Sequence, residues 1–179
     1  MDRQKVIQLY KKLGANLILQ GQRFLKKAFH VKYTQTISST NLKSFLSNLG
    51  IPRENVYCAD RKYAIIDWEV MKDIIAYDFG DRKEYLVCTH DCDDFANAFK
   101  ANLSEIYGVN SIGLAKNVMV HIKAKDKNVY HRCNLILATS KGVLKAFLFE
   151  SQTDAYQEIV KGVPIVMGDW EYKVSMFDF

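Results

Sequence analysis

Cysteine is scarce: four residues in 179, at positions 58, 88, 92 and 133. That number and their irregular spacing exclude a disulfide framework of the kind that staples small secreted domains. No run approaches the roughly 20 apolar residues needed to span a bilayer. The opening MDRQKVIQLYKK carries charges where a signal peptide needs an apolar core. A chain made and folded in a cytoplasm is expected, with later release by another route open. Acid is almost missing from one end. Residues 1–50 hold nine Lys/Arg and one acid, a net +8, while the remainder carries −3. Such a region can face nucleic acid, an anionic membrane or an acidic partner. It carries no recognisable nucleic-acid motif, so its first reading is a solvated helical face, with no specific nucleic acid as partner. Gly108, Gly113 and Gly142 make no phosphate-cradling motif, and neither internal repeats nor low-complexity tracts occur. With 49% hydrophobic and 25% charged residues, the chain reads as one globular domain, 1–179, with a basic helical region at about 1–50.

Apolar periodicity outlines the elements. Val6, Leu9, Tyr10 and Leu13 recur at helical spacing, and Leu17, Ile18, Phe24, Leu25 and Phe29 extend the pattern past Gly14 and Gly21. Ser38-Ser39-Thr40-Asn41 supplies an N-cap for a short helix through Leu42, Phe45, Leu46 and Leu49, stopped by Gly50 and Pro52. A strand near Tyr63–Ile66 and a helical stretch near Trp68–Ile75 follow. Phe95, Phe99, Leu103 and Ile106 form one stripe on a helix ending at Gly108. Beyond it lie β-rich segments at Val118–Ile122, Val129–Ala138, Val143–Phe149, Val163–Met167 and Tyr172–Met176. Ser140-Lys141-Gly142 is the turn of a hairpin. Helices first and an antiparallel sheet afterwards predict an α+β fold.

The chemistry gathers at Thr89-His90-Asp91-Cys92-Asp93-Asp94-Phe95-Ala96. Here a thiol opens a helix whose N-terminus favours negative charge. The acids beside it oppose a thiolate by about 2–3 kcal/mol for one carboxylate near 6 Å. A bound divalent cation would cancel that repulsion, and oxygen ligands this dense suit calcium or manganese. Cys88-x-His90-x-Cys92 is half a zinc site, but the second pair would have to come from scattered Cys58, Cys133 or His121. The bland alternative is a buried Cys92 beside an acidic cap.

Asp91-Cys92-Asp93-Asp94-Phe95-Ala96 resembles the segment that opens the catalytic helix in two related groups. These are the calcium-dependent protease domain of a mushroom agglutinin and the bacterial transglutaminase-like cysteine proteinases. His131-Arg132-Cys133-Asn134, 39 positions after Cys92, is similar to the agglutinin-type His-x-x-Asn strand. Phe149-Glu150-Ser151-Gln152, 19 positions after His131, is similar to its Glu-Pro-Gln strand end. The likeness covers residues 85–155, with Arg132 in place of a small residue and Ser151 in place of Pro. It implies a papain-like/transglutaminase-like fold with the nucleophile at the N-terminus of a helix packed on an antiparallel sheet. It also implies a Cys92–His131–Glu150 triad and a cation held by Asp91, Asp93, Asp94 and Gln152.

The hairpin permits that triad, because residues facing His131 and Glu150 would centre the turn between Ser140 and Lys141. The Cys92 N–H is one oxyanion donor; Thr89 and His90 are candidates for the second. His90 is a rival base of lower rank, and His121 reads as a hydrogen-bonded core or surface residue. The expected activity is hydrolysis of a protein or peptide by a cysteine peptidase, dependent on a divalent cation. Two alternatives stand beside it. One is a cell-wall peptide amidase or acyltransferase with the same triad; the other is a non-catalytic structural or binding protein with a degenerate hydrolase fold.

Overall fold

A computed structural model describes residues 13, 14, 17, 20, 21, 23–29, 31–78, 86 and 91–179. Strand β1 (Tyr33–Ser38) leads into helix α1 (Ser39–Asn48), followed by β2 (Val56–Tyr57), β3 (Lys62–Asp67) and α2 (Trp68–Tyr77). After α3 (Cys92–Asn102) come β4 (Ile112–Ile122), β5 (Lys127–Ser140), β6 (Val143–Glu150) and β7 (Ala155–Glu158). The chain closes with β8 (Ile165–Met167), β9 (Trp170–Lys173) and β10 (Met176–Asp178). Val6, Leu9 and Tyr10 of the expected first helix lie outside the described residues, whereas Leu13, Leu17 and 23–28 are helical.

Local chemistry sets the helix ends. The Asn41 N–H donates to Ser38 Oγ at 3.2 Å and opens α1, and the Glu69 N–H does the same to Asp67 Oδ1 at 2.9 Å for α2. Helix α3 runs into a π turn, Leu103–Tyr107, closed by Gly108 at φ 70°. That wide turn moves the apolar stripe by one position. Phe95, Phe99 and Leu103 are buried as the spacing requires, but the next buried residue is Tyr107, with Ile106 only half-buried.

Strand β5 divides two cores. Its odd residues Cys133, Leu135 and Leu137 face one cluster with Leu42, Leu46, Leu148 and Phe177. Its even residues Ile136 and Ala138 face the other, where Trp68, Met71 and Ile74 of α2 and Phe99 of α3 pack. An apolar run buried on both faces has this two-sided use. Aromatic contacts tie α2 and α3 to β6: Trp68 stacks on Phe147 with centroids 3.7 Å apart, and Phe99 meets Phe149 at 4.5 Å.

Around β5 the sheet curls. Strands β4 and β6 flank it antiparallel, β9 joins β4, β8 joins β9, and β7 joins β6. The result is a half-barrel. Between β7 and β8 a side chain replaces the ladder: Gln157 Nε2 donates to the Pro164 carbonyl at 3.0 Å, and its Oε1 accepts from Val166 N–H at 2.7 Å. A bulge at Lys116–Asn117, with Asn117 at φ 53°, parts the pairing of β4 with β9 from its pairing with β10. The single segment expected at Tyr172–Met176 is therefore two strands.

The expected α+β, papain-like/transglutaminase-like arrangement is corrected. Among the described residues ten strands dominate, two of the pairings (β3 with β5, β10 with β2) are parallel, and the barrel side of the sheet is filled largely by its own side chains. Periodicity in the sequence detected strands one at a time. It carried no record of curvature, which arises from twist, a bulge and the Gln157 seam.

Candidate functional site

Two strand ends and one helix start meet at the mouth of the half-barrel. Odd positions of β5 and even positions of β6 point to the barrel side, so His131 and Glu150 share it. The hairpin is shifted by two residues from the expected register. Lys141 (φ 52°) and Gly142 (φ 78°) both take left-handed backbone, as a two-residue type I′ turn demands, and Ser140 pairs with Val143. The turn centre thus lies between Lys141 and Gly142. Glu150 reaches His131 on the diagonal instead of straight across, a separation long side chains span.

His131 Nε2 hydrogen-bonds Glu150 Oε2, and the side chains are only 7% and 2% exposed. Glu150 accepts two further hydrogen bonds, from the Tyr172 hydroxyl at 3.3 Å and from the Gln152 N–H at 3.3 Å. Burial first, and then the neighbouring Glu150, push the Tyr172 phenol up, so it remains a donor. The other side of His131 meets Cys92, a free and half-buried cysteine at the first residue of α3. Burial disfavours the protonated ring, yet hydrogen bonds to Cys92 and Glu150, with their charges, outweigh it and hold His131 up to about 9. With Nε2 committed to Glu150, Nδ1 is left for the sulfur. Trp170 stands edge-on against the imidazole at 5.5 Å between centroids.

Around Cys92 the acids divide their work. Asp91 and Asp94 form a capping box: the Asp91 N–H donates to Asp94 Oδ2 at 3.1 Å, and the Asp91 side chain accepts from the Asp93 N–H at 3.4 Å. Asp91, Cys92 and Asp93 bring one ligand atom each within 4.8 Å of one another. A hydrogen bond with Asp91 pushes Asp93 up, and Arg132 Nη1, 3.3 Å from Asp93 Oδ2, opposes that shift. Gln152 keeps its Nε2 buried without a partner among the described residues. Thr89, His90 and Cys88 lie outside the described residues. His121 bonds Asn128 Oδ1 at 3.1 Å away from the site, as its sequence position implied.

Sequence reasoning missed Trp170 and Tyr172 as site residues. Two aromatics two apart on one strand share a face, which was the available signal. Both line a cavity of about 360 Å³ together with Glu150, Thr153, Ala155, Met167, Gly168 and Asp169.

No family model and no curated protein matches the chain. Solved structures similar in fold include the following two. One is a Polyporus squamosus lectin bound to the human-type influenza-binding epitope Neu5Acα2-6Galβ1-4GlcNAc, at 18% identity and a TM-score of 0.56. The other is a PSL1a–E64 complex, at 19% identity and 0.57. Each covers 80% of this chain, and this chain spans about half the length of each (49% and 51%). At such identity the likeness bears on fold alone.

These findings correct the expected family. These two structures are described as a lectin and as PSL1a, and no family model brings the chain to the papain-like/transglutaminase-like cysteine proteinases. The cysteine peptidase activity, the thiol-hydrolase class and the protein or peptide substrate fall with that family. Their support was three short motifs in order, and short motifs in order do not establish a reaction.

Proposed function

We propose that this chain is a ligand-binding domain that holds a carbonyl-bearing or otherwise electrophilic ligand over the Cys92 sulfur. The observation that carries this reading is the His131 imidazole held by the buried Glu150 carboxylate, with Cys92 acting on the same ring and the Trp170 cavity alongside. Cys92 is the nucleophile, His131 its proton partner and Glu150 the group that orients the imidazole. As the sulfur bonds to a carbonyl carbon, the C=O π electrons move to oxygen and the proton on His131 passes to that oxygen, leaving a covalent, reversible adduct.

Binding of E64, attributed to PSL1a by its description, is taken over here as the test. Intact-mass measurement after incubation with E64 should show one adduct per chain. Cys92→Ala should abolish it, and His131→Ala should slow it by about 100-fold or more. Persistence of the adduct in Cys92→Ala overturns the reading.

A second reading rests on the cavity. Trp170 offers an aromatic face and Asp169 a carboxylate, the combination that takes a sugar ring by stacking and hydroxyl contacts. The glycan bound by the lectin is the probe. Saturable binding of Neu5Acα2-6Galβ1-4GlcNAc that is lost in Trp170→Ala, with Cys92 inert to E64, would establish that reading in place of the first.

Calcium or manganese belongs to the first proposal, held by Asp91 and Asp93 with Asp94 and Gln152 as further donors. The residues fit in part: two carboxylates converge beside Cys92, while an Asp94 oxygen serves the cap and Arg132 faces Asp93. Calcium chloride is expected to raise the melting temperature, by linkage of binding to folding. Asp93→Asn should remove that rise, and an equal rise in the variant would exclude these ligands.

A further inference from the structure

The described helical residues near the amino terminus carry three apolar side chains, Leu13, Leu17 and Phe24, that are largely exposed. The inner side of this helix is anchored. Leu25, Phe29 and Val31 pack against the cluster around α2 and α3, and Phe29 meets the Tyr77 and Tyr107 rings at 5.3 and 5.9 Å. Lys26 Nζ lies 3.5 Å from the Tyr33 hydroxyl and over the Tyr33 ring. With that side fixed, 3.6 residues per turn put Leu13, Leu17 and Phe24 within about 40° of one another on a different face. They are 50%, 69% and 70% exposed. Around this face there is open space: a Cβ built on Gly14 or Gly21 meets nothing within 4 Å.

The borders of the stripe are cationic. Arg23 and Lys27 are exposed and fall on the flank away from Leu25 by the same helical angles. In the first 50 residues Asp2 is the single acid against nine Lys/Arg. Lone exposed apolar residues are ordinary on protein surfaces, but three in one stripe beside an unneutralised cationic flank are the chemistry of a helix that lies in a membrane interface. Among the described residues no helix is long and apolar enough to cross a membrane. Arg23, Lys26 and Lys27 break the apolar run, so the contact this helix suits is lateral.

We propose that this helix docks the chain on an anionic lipid bilayer, with Leu13, Leu17 and Phe24 entering the headgroup boundary and Arg23 and Lys27 on lipid phosphates and carboxylates. The proposal is independent of the chemistry at Cys92.

Co-sedimentation of the full chain with vesicles tests it. Binding to vesicles of phosphatidylcholine with phosphatidylserine should exceed binding to phosphatidylcholine alone by about tenfold or more, and should weaken with salt. Leu17→Ser with Phe24→Ser should lose binding to both vesicles while the melting temperature holds. Arg23→Gln with Lys27→Gln should lose chiefly the preference for phosphatidylserine. Three outcomes overturn the proposal. They are equal binding to neutral and anionic vesicles, no vesicle binding beside tight binding to RNA or DNA, and self-association without vesicles that Leu17→Ser with Phe24→Ser abolishes.

Discussion

Glu150→Ala is expected to cost the fold about 3–5 kcal/mol, the loss usual when one partner of a buried ion pair is removed. The carboxylate is 2% exposed and receives His131, the Tyr172 hydroxyl and the Gln152 N–H. Without it an imidazolium and a phenol are left buried with unmet hydrogen bonds. Glu150→Gln keeps the shape and an acceptor for Tyr172 but loses the charge, so its cost should be smaller.

A pH dependence follows from the same pair. His131 is raised from 6.5 to about 9 in the folded chain, so the folded state holds this proton more tightly than the unfolded state. The stabilisation is complete below pH 6.5 and disappears as pH rises through 9. Its size, from the difference between those two values, is about 3 kcal/mol. Urea unfolding at both ends of the window measures it. A flat profile in the wild type, or the same profile in Glu150→Gln, removes the ion pair from the account.

The thiols should differ in reactivity by about three orders of magnitude when Cys92 is compared with Cys133 under a small alkylating reagent. Cys133 is fully buried, and burial first, then Glu150 and Cys92, push its thiol well up. Its alkylation waits for the structure to open, which a stability of several kcal/mol makes rare. Cys92 is half-buried at the first residue of α3, so a small reagent reaches it without the structure opening. Peptide mapping after timed alkylation reads both sites. Equal rates would mean that Cys92 is sealed.

Much of the local structure was legible because it depends on neighbours in sequence. Ser38 as a cap, Gly108 as a stop, the Phe95–Leu103 stripe and a hairpin turn within Ser140–Gly142, though not its register, all rest on interactions within a few residues. The meeting of Cys92, His131 and Glu150 was legible too, since a helix start and one hairpin specify it. The features that were missed depend on distant parts of the chain. Strand β1 exists because β3 pairs with it. The split of β9 from β10 depends on a bulge in β4, and the half-barrel on an amide of Gln157 between strands. The family expectation failed for a related reason: six or eight matching residues define a neighbourhood and leave open which ligand enters it.

The hairpin between β5 and β6 has a further consequence. Side chains alternate across a strand, so a one-residue slip of β6 along β5 would rotate Glu150 to the helix side of the sheet. The backbone ladder could re-form, yet His131 would then confront a carbonyl or a hydrocarbon in place of a carboxylate. A slip of two residues would restore the alternation. The register that the Lys141–Gly142 turn sets, some ten positions from either group, thus decides whether the imidazole keeps its counter-ion.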